Sequence, residues 1–409
     1  MKKLSFIISI LIVLIMASCS KDTLSGDSFV ITPANQTVIV YMSAENNLTG
    51  VATTNLNQMI QGSSSLPDSS NLIVFVDSAD KTKTPYILRI KDGKKTVDPA
   101  YTTTEDFYAS DPAKMKEILT WIMNRYPSDS YSLVLWGHSG GWMITKDSVA
   151  WTQTKNAVRR EYGVDTGNNT EGNSGMWINL PSLATVLNSL PHKFKYILAD
   201  CCNFQCVESA YELRNSADYI IGSPAEIPAA GAPYTQILPS LFSDKDDFYK
   251  ELTDIYYEQN GNNYKVPMSV IKTSEMDNFA KATMSMIPYL MGQDILRPDT
   301  LVYYLHAYPS YRKIMYDMND VMLHYAPNTE AYNKWKSALD KTVIYKRFAS
   351  KWLAEEPYTL SSNEFNLTES KYGGISMFVP QKTYDTYGLS YNSDIKKMSW
   401  YYAVGMNNY

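Results

Sequence analysis

Cysteine and histidine are scarce in this chain of 409 residues, which contains four of each. Four cysteines are too few for the disulfide framework that stabilises small secreted proteins. An excess of one charge is also missing, because 37 basic side chains are balanced by 42 acidic ones, and this excludes an electrostatic basis for nucleic-acid binding. A hydrophobic content of 44% excludes a disordered chain, and the composition as a whole excludes a collagen-like fibre and a polytopic membrane protein.

The N-terminal segment has the features of an export signal. Lys2 and Lys3 precede an apolar run over residues 4–16, which is too short for a comfortable membrane span and matches a signal-peptide core. The run ends in Ala17-Ser18-Cys19, which resembles a bacterial lipobox. We therefore predict a signal peptide over 1–18, lipidation of Cys19, and a tether over 19–36. The alternative is ordinary cleavage near Ser18, and in both cases the mature protein is extracytoplasmic. Lipidation would anchor it to the outer membrane or the cell surface.

Buried strands alternate with helices in the first half of the mature chain. Apolar, β-branched runs predict strands over 37–42, 71–77, 131–136 and 196–199, and a hairpin over 85–97. Apolar residues at helical spacing predict helices over 48–60 and 115–123. This alternation predicts an α/β fold with a mainly parallel sheet flanked by helices on both faces. Beyond residue 236 we expect helices near 245–258, 274–290 and 311–345, with strands at 268–271 and 374–379.

Two of the predicted strands are followed by residues that can act in catalysis. Residues 136–142 (WGHSGGW) follow one strand, and residues 200–203 (DCCN) follow the next. Because adjacent parallel strands lie about 4.8 Å apart and end at one edge of the sheet, His138 and a cysteine can face a shared cleft. A thiol needs only a nearby base or cation to react as a thiolate. The pattern therefore favours a cysteine nucleophile with a histidine partner.

Other readings of these segments remain open at this point. Residues 137–141 satisfy the G-x-S-x-G pattern, which would make Ser139 the nucleophile of a serine hydrolase, although no helix signal follows. Cys202 and Cys206 are spaced i, i+4 and could bind zinc with His138, but no fourth ligand is evident. A disulfide among Cys201, Cys202 and Cys206 would be geometrically awkward, but it stays an alternative because the compartment is oxidising.

Taken together, the motifs resemble those of the clostripain (C11) family of cysteine peptidases, which belongs to the caspase-like group. The resemblance rests on Gly-His-x-Gly-Gly-Trp after one strand, Asp-x-Cys after the next, and a glutamate six residues after the cysteine. Asp200, Cys202 and Glu208 fit that spacing. Further similarities lie at residues 41–42, 47–48, 219–223 and 373–380. The resemblance implies a caspase-like catalytic domain over 37–235, with a mainly helical region over 236–409 packed on its sheet and adding to it.

The resemblance also implies roles for individual residues in an endopeptidase that cleaves after Arg or Lys. Cys202 would attack the scissile carbonyl, and His138 would protonate the leaving amine. The N–H groups of Cys202 and of Ser139 or Gly140 would bind the oxyanion. Asp200 would lie at the floor of an acidic S1 pocket, with Glu226 as a second acidic candidate.

Some family properties are less well supported by these residues. The family usually has Gly where Ser139 stands and a small residue where Cys201 stands, and a catalytically silent surface binding protein remains an alternative. Members can mature by self-cleavage, for which the candidate sites are Lys146, Lys155, Arg159 and Arg160. Calcium dependence occurs in part of the family, but residues 165–169 fit no calcium-loop spacing, so we predict neither a metal nor another cofactor. We expect a monomer, which self-cleavage would divide into two associated chains, and its partners are protein or peptide substrates.

Overall fold

A nine-stranded sheet forms the centre of the structure, a computed structural model that describes residues 33–144, 162–167, 175–259, 265–291, 301–307, 312–356, 359–364 and 367–409. The strands of these residues are β1 (Ala34–Ala44), β2 (Ser70–Ser78), β3 (Tyr86–Lys91), β4 (Lys94–Thr102), β5 (Ser128–Trp136), β6 (Tyr162–Asp165), β7 (Met176–Ile178), β8 (Phe194–Asp200), β9 (Ala217–Gly222), β10 (Met268–Lys272), β11 (Tyr303–Ala307), β12 (Arg312–Asp317), β13 (Val343–Arg347), β14 (Lys351–Glu356), β15 (Thr359–Glu364) and β16 (Ser376–Met377).

Five parallel strands form the middle of the nine-stranded sheet, whose order is β13-β10-β9-β8-β5-β1-β2-β3-β4. The pairs from β9 to β2 are parallel, and antiparallel strands extend the sheet at both edges.

Helices cover both faces of this sheet. They are α1 (Thr49–Gly62), α2 (Pro112–Arg125), α3 (Leu180–Asn188), α4 (Val207–Glu212), α5 (Tyr234–Leu241), α6 (Phe248–Glu258), α7 (Met276–Met284), α8 (Ile287–Met291), α9 (Met318–Tyr325), α10 (Glu330–Thr342), α11 (Lys382–Thr386), α12 (Tyr391–Asp394) and α13 (Ser399–Ala403). Val38 and Val40 of β1 pack in one core with apolar residues of α1, α5 and α6. On the other face, the Tyr131 hydroxyl donates to the Met123 carbonyl of α2 at 3.1 Å. The predicted α/β class and mainly parallel sheet are confirmed.

The sequence pattern explains why α2 forms where it does. The Asp111 carboxylate caps the helix by accepting from the Ala113 and Lys114 N–H groups at 2.7 and 3.1 Å. Pro112 occupies the first helical position, where its missing N–H is not needed. The apolar stripe from Met115 to Met123 is buried against the sheet.

The second half of the chain contains more strands than predicted. The expected helix over 311–345 is wrong at both ends, because β12 begins it and β13 starts within its last residues. β10 lies in the main sheet as expected, whereas the run at 374–379 contributes β16 to a separate three-stranded sheet with β11 and β12. His306 lies on β11, in a segment for which the sequence predicted no strand. Within the described residues, no helix combines the length and apolarity needed to cross a bilayer.

The order of the central strands fixes where a site can form. From β1 the chain moves one way to β2, and it later returns to build β5, β8 and β9 on the other side of β1. Such a reversal leaves a crevice beyond the carboxyl ends of the strands, where open α/β sheets bind their ligands. The ends of β1, β5 and β8 border this crevice. Residues 33–409 form one compact unit around it.

Candidate active site

His138 and Cys202 occupy equivalent places at the carboxyl ends of two paired strands. Trp136 of β5 is in register with Asp200 of β8, and the Gly137 N–H donates to the Asp200 carbonyl at 3.4 Å. Each of the two candidate residues therefore lies two residues beyond the last paired position, at the same edge of the sheet.

The turn between Trp136 and His138 depends on a glycine. Gly137 has a φ of +143°, which L side chains rarely adopt, and a Cβ there would lie 3.0 Å from the Ser43 carbonyl oxygen. The chain can therefore leave β5 close against the end of β1. His138 then presents its half-buried ring at the edge of the crevice.

His138 is held by a residue from the loop after β1. Its Nε2 lies 2.7 Å from Asn47 Oδ1, and since an amide oxygen only accepts, Nε2 is the donor. The ring also lies near Trp177, with 6.4 Å between the ring centroids. In neutral His138 this assignment leaves Nδ1 as the basic nitrogen.

Cys202 differs from the two neighbouring thiols in its exposure. Its side chain is half-buried, whereas Cys201 and Cys206 are fully buried, and burial raises the pKa of both of these thiols. The Cys202 Sγ accepts from the Ile227 N–H at 3.5 Å. Cys201, Cys202 and Cys206 are all free thiols, so the disulfide alternative is wrong.

The turn after β8 is fixed to the segment that follows β9. Asn203 has a φ of +54°, a conformation that asparagine tolerates better than most residues. Its N–H donates to the Ala225 carbonyl at 2.9 Å, and the Gln205 N–H donates to Ser223 at 3.1 Å. The position of Cys202 is thus set by main-chain contacts on both sides.

Ser139 is placed as part of this scaffold. It is 7% exposed, its hydroxyl accepts from the Gly141 N–H at 3.1 Å, and it is hydrogen-bonded to the Cys201 thiol. Its main chain pairs with Tyr162 of β6. No helix follows in residues 141–144, as a nucleophile elbow would require. Gly140, the other oxyanion candidate, is buried beside it.

Asp200 lies beneath the site and is almost completely buried. One carboxylate oxygen accepts from the Tyr256 hydroxyl at 2.7 Å and the other from the Tyr234 hydroxyl at 2.8 Å, and the Ala232 N–H lies within 3.1 Å of both. Burial raises the pKa of Asp200, while these donors oppose the increase. Both carboxyl oxygens of Asp200 are therefore acceptors of hydrogen bonds from the chain itself. Glu226, the second predicted S1 residue, is half-buried and pairs through its main chain with Leu353 of β14.

Five of the predicted residues, namely Cys19 and the processing candidates Lys146, Lys155, Arg159 and Arg160, lie outside the described residues. His138, Cys202 and Cys206 do not form a metal-ligating group in the described part of the chain, so the zinc alternative is wrong. A group of carboxylates that could bind a metal lies instead at the ends of β1 and β2.

Sequence reasoning missed three features around the site. Asn47 was noted as a similarity without a role, because nothing in its local sequence shows that it contacts a residue 91 positions away. Tyr234 and Tyr256 could not be distinguished by sequence from the other tyrosines of a chain that contains 32. The late strand β16 was also missed as a support, although the Ser376 N–H donates to the Gln205 carbonyl at 3.1 Å.

Comparisons with known proteins agree with this fold. The chain is 22% identical over 444 residues to clostripain of Hathewaya histolytica, covering 91% of this chain and 81% of that protein. A solved secreted C11 cysteine protease from Bacteroides thetaiotaomicron, in complex with an irreversible peptide inhibitor, is 27% identical with a TM-score of 0.76, over 92% of this chain and all of that one. An inactive zymogen C11 protease from Parabacteroides distasonis is 27% identical with a TM-score of 0.72, over 91% and 99%. The family model of the clostripain family matches residues 40–408, and this chain therefore belongs to that family of cysteine peptidases.

Proposed function

We propose that this protein is an extracytoplasmic cysteine endopeptidase that cleaves after Arg or Lys with Cys202 as nucleophile and His138 as acid and base. The observation that carries the proposal is the register of β5 and β8, which sets His138 and Cys202 at equivalent positions on adjacent strands. Cys202 is also the only half-exposed thiol among the three that the structure describes. Family membership makes the chain a cysteine peptidase, so the serine-hydrolase alternative is wrong.

The chemistry follows from these positions. The Cys202 thiol gives its proton to His138, and its Sγ attacks the scissile carbonyl carbon, while the negative charge on the oxygen is stabilised by the N–H of Cys202 and that of Ser139 or Gly140. The C–N bond breaks as His138 passes this proton to the leaving amine, which leaves a thioester on Cys202. His138 then takes a proton from water, whose oxygen attacks the thioester carbon. The C–S bond breaks, the acid product leaves, and His138 returns the proton to the Cys202 sulfur.

A basic preference at P1 is supported by the charge beneath the site. Donors from Tyr234, Tyr256 and the Ala232 N–H surround the Asp200 carboxyl group and would stabilise its ionised form. An arginine or lysine entering above it would meet a negative potential in a site of low dielectric, where such charges interact strongly. Glu226 would add to this potential from the rim.

The assay of this proposal uses peptides with Arg or Lys at P1 and four forms of the protein. Wild type and the control Cys206→Ala are expected to cleave them, since Cys206 is a buried thiol bonded to Ser209. Ser139→Ala is expected to retain turnover, and Cys202→Ala to lose it. Turnover that survives in Cys202→Ala would refute the nucleophile assignment. Absence of turnover in every form, with a wild-type fold, would support the silent binding protein.

Proteolytic processing of the segment between β5 and β8 is the second part of the proposal. The relative from Parabacteroides distasonis is described as an inactive zymogen, which supports maturation by cleavage in this family. We expect the cut at Lys146, Lys155, Arg159 or Arg160, and intact mass after incubation identifies which one. Cys202→Ala should remain uncut, and cutting of that variant in isolation would exclude self-cleavage.

Export and lipid anchoring are proposed from the N-terminal sequence. The solved relative from Bacteroides thetaiotaomicron is described as secreted, which supports an extracytoplasmic location. Incorporation of a fatty-acid label into wild type and its loss in Cys19→Ala would be the expected result. Equal labelling of both proteins, or of neither, would contradict lipidation at Cys19.

A further inference from the structure

Ser139 and Cys201 contact each other at the carboxyl ends of β5 and β8, and each is next to a candidate catalytic residue. Ser139 follows His138 in the chain, and Cys201 precedes Cys202. These are also the two positions at which the sequence departs from the family pattern, which usually has Gly at the first and a small residue at the second. The two unusual side chains are hydrogen-bonded to each other. The departure on one turn is therefore matched by the departure on the other.

The Ser139 hydroxyl can make two hydrogen bonds at once. A serine hydroxyl has one proton to donate and two lone pairs that accept. Its oxygen accepts from the Gly141 N–H at 3.1 Å, which leaves its proton for the sulfur of Cys201. Cys201 is 0% exposed and Ser139 is 7% exposed, so water does not compete for this bond.

A second contact joins the same two turns. Gly141 has a φ of +67°, and a Cβ there would lie 2.7 Å from the Asn203 carbonyl oxygen. The main chain at Gly141 therefore packs directly on Asn203. Cys202 thus lies between two residues, Cys201 and Asn203, that both contact the turn after His138. The two turns are held side by side at two points.

The strand β6 holds the turn after His138 from another direction. The Gly163 N–H donates to the His138 carbonyl at 2.9 Å, and Ser139 is paired with Tyr162 in an antiparallel bridge. In such a bridge the flanking residues carry the hydrogen bonds, so Ser139 and Tyr162 are a pair without hydrogen bonds between them. The Ser139 N–H consequently points away from β6, as a donor to a substrate oxygen must.

We propose that the bond between the Ser139 hydroxyl and the Cys201 thiol sets the spacing of the two oxyanion donors, which are the N–H groups of Ser139 and Cys202. Both side chains are buried, so they act on the reaction through the main chain and are positioning groups. The donors must lie about 2.7–3.1 Å from the oxyanion, so a shift of one turn against the other weakens the stabilisation that they give. This role rests on the proposed function, whereas the contact between the two side chains does not.

A double-mutant cycle tests the pair. Ser139→Ala and Cys201→Ala each remove the bond, and each should lower kcat about tenfold with KM unchanged. This loss is smaller than the hundredfold or more, in order of magnitude, that follows removal of a whole donor, because both N–H groups remain. The second replacement then has no bond left to remove, so the double variant should also lose about tenfold, whereas independent effects would multiply to about a hundredfold.

A peptide aldehyde with Arg at P1 gives a second readout of the oxyanion site. The Cys202 Sγ bonds to the aldehyde carbon, the C=O double bond becomes a single bond, and the thiol proton passes to the oxygen, which lies where the oxyanion forms. Its affinity should fall about tenfold in each single variant and no further in the double one. A role in folding alone would leave the aldehyde affinity of the folded protein unchanged.

Cys206 and Ser209 provide a matched control pair. They are also a buried thiol and a buried hydroxyl, 2.9 Å apart, at the start of α4. Cys206→Ala and Ser209→Ala should lower the free energy of unfolding and leave kcat and the aldehyde affinity at their wild-type values. Equal losses of kcat in these controls and in the Ser139 and Cys201 variants would overturn the proposal.

Urea unfolding of the four forms of the Ser139 and Cys201 cycle measures the contact without any assay of activity. The effects of the two single variants on the free energy of unfolding should not add up in the double variant. Additive effects, or losses of kcat that multiply in the double variant, would overturn the pair while the enzyme remains active. A wild type without turnover but with coupled stabilities would refute the proposed function and leave the contact a structural one.

Discussion

His138 Nε2 and Asn47 Oδ1 lie 2.7 Å apart, and this contact joins the end of β5 to the loop after β1. Because Asn47 accepts the Nε2 proton, neutral His138 keeps its basic lone pair on Nδ1. A histidine ring with a defined tautomer and orientation transfers protons more effectively than one that rotates. Asn47 is therefore a positioning residue for the proposed reaction.

Replacement of Asn47 tests this role. Asn47→Ala should lower kcat by about a hundredfold with little change in KM, because misplacement of a catalytic group by about 1 Å has that effect. Asn47→Asp keeps an acceptor oxygen and should retain more activity than Asn47→Ala. The measurement is steady-state kinetics on an Arg peptide, with Asn57→Ala on the exposed side of α1 as the control. An increase in KM alone would place Asn47 in substrate binding instead.

Alkylation of the folded protein should distinguish Cys202 from the other thiols. Cys201 and Cys206 are fully buried and burial raises the pKa of both, so neither presents a thiolate to solvent. Iodoacetamide should therefore add one mass increment to a protein truncated after Cys19, and none to its Cys202→Ala form. Denaturant should expose the remaining thiols in both. Rapid native labelling of Cys206 would contradict the burial that separates these residues.

The central strands were predictable because their composition is itself a consequence of burial. β1, β2, β5 and β8 are covered on both faces, so they consist of apolar, β-branched runs that are visible in the sequence. The edge of the sheet at which they end then places His138 and Cys202 together. The fold could thus be predicted from short-range pattern plus one topological rule, whereas the choice of Cys202 as nucleophile came from the family resemblance and stays a prediction.

The second half was less predictable because its strands depend on distant partners. β12 begins the segment read as a helix, yet Tyr316 pairs with Met377, about 60 residues later. β13 continues from α10 without a glycine or proline between them, and it forms because Val270 and its neighbours on β10 offer an edge. The contacts of Asn47 and of Asp200 could not be predicted for the same reason, namely that their partners are distant in the sequence. Tyr234 and Tyr256, the partners of Asp200, are 34 and 56 residues away.

Asp200 should control the preference for a charged P1 residue. Asp200→Asn keeps the size of the side chain but removes its charge, so kcat/KM for an Arg substrate should fall on the order of a hundredfold relative to that for a citrulline substrate. Glu226→Gln, at a half-buried position, should change this ratio only a few-fold. The measurement is the Arg to citrulline ratio for each variant. An equal fall for both substrates would mean that Asp200 only supports the main chain at Ala232.

Glu208 should make stability depend on pH. Its side chain is fully buried behind Cys206, its Oε1 accepts from the Phe378 N–H at 2.8 Å, and burial raises its pKa to about 7 from an ordinary 4.5. Between these two values the unfolded chain releases the proton and the folded chain keeps it. The contribution of Glu208 to stability is therefore complete below about pH 4.5, is lost as the pH rises to about 7, and amounts to on the order of 3 kcal/mol.

Glu208→Gln removes this titration while keeping an acceptor for Phe378. The free energy of unfolding of wild type should consequently decrease relative to that of the variant between about pH 5 and about pH 8. Urea unfolding of both proteins at these two pH values measures the change. The control is Glu251→Gln, on the exposed side of α6. Its free energy of unfolding should differ from that of wild type by the same amount at both pH values. If the difference between wild type and Glu208→Gln were also constant, Glu208 would have to be charged throughout this range, and another group would have to neutralise it inside the core.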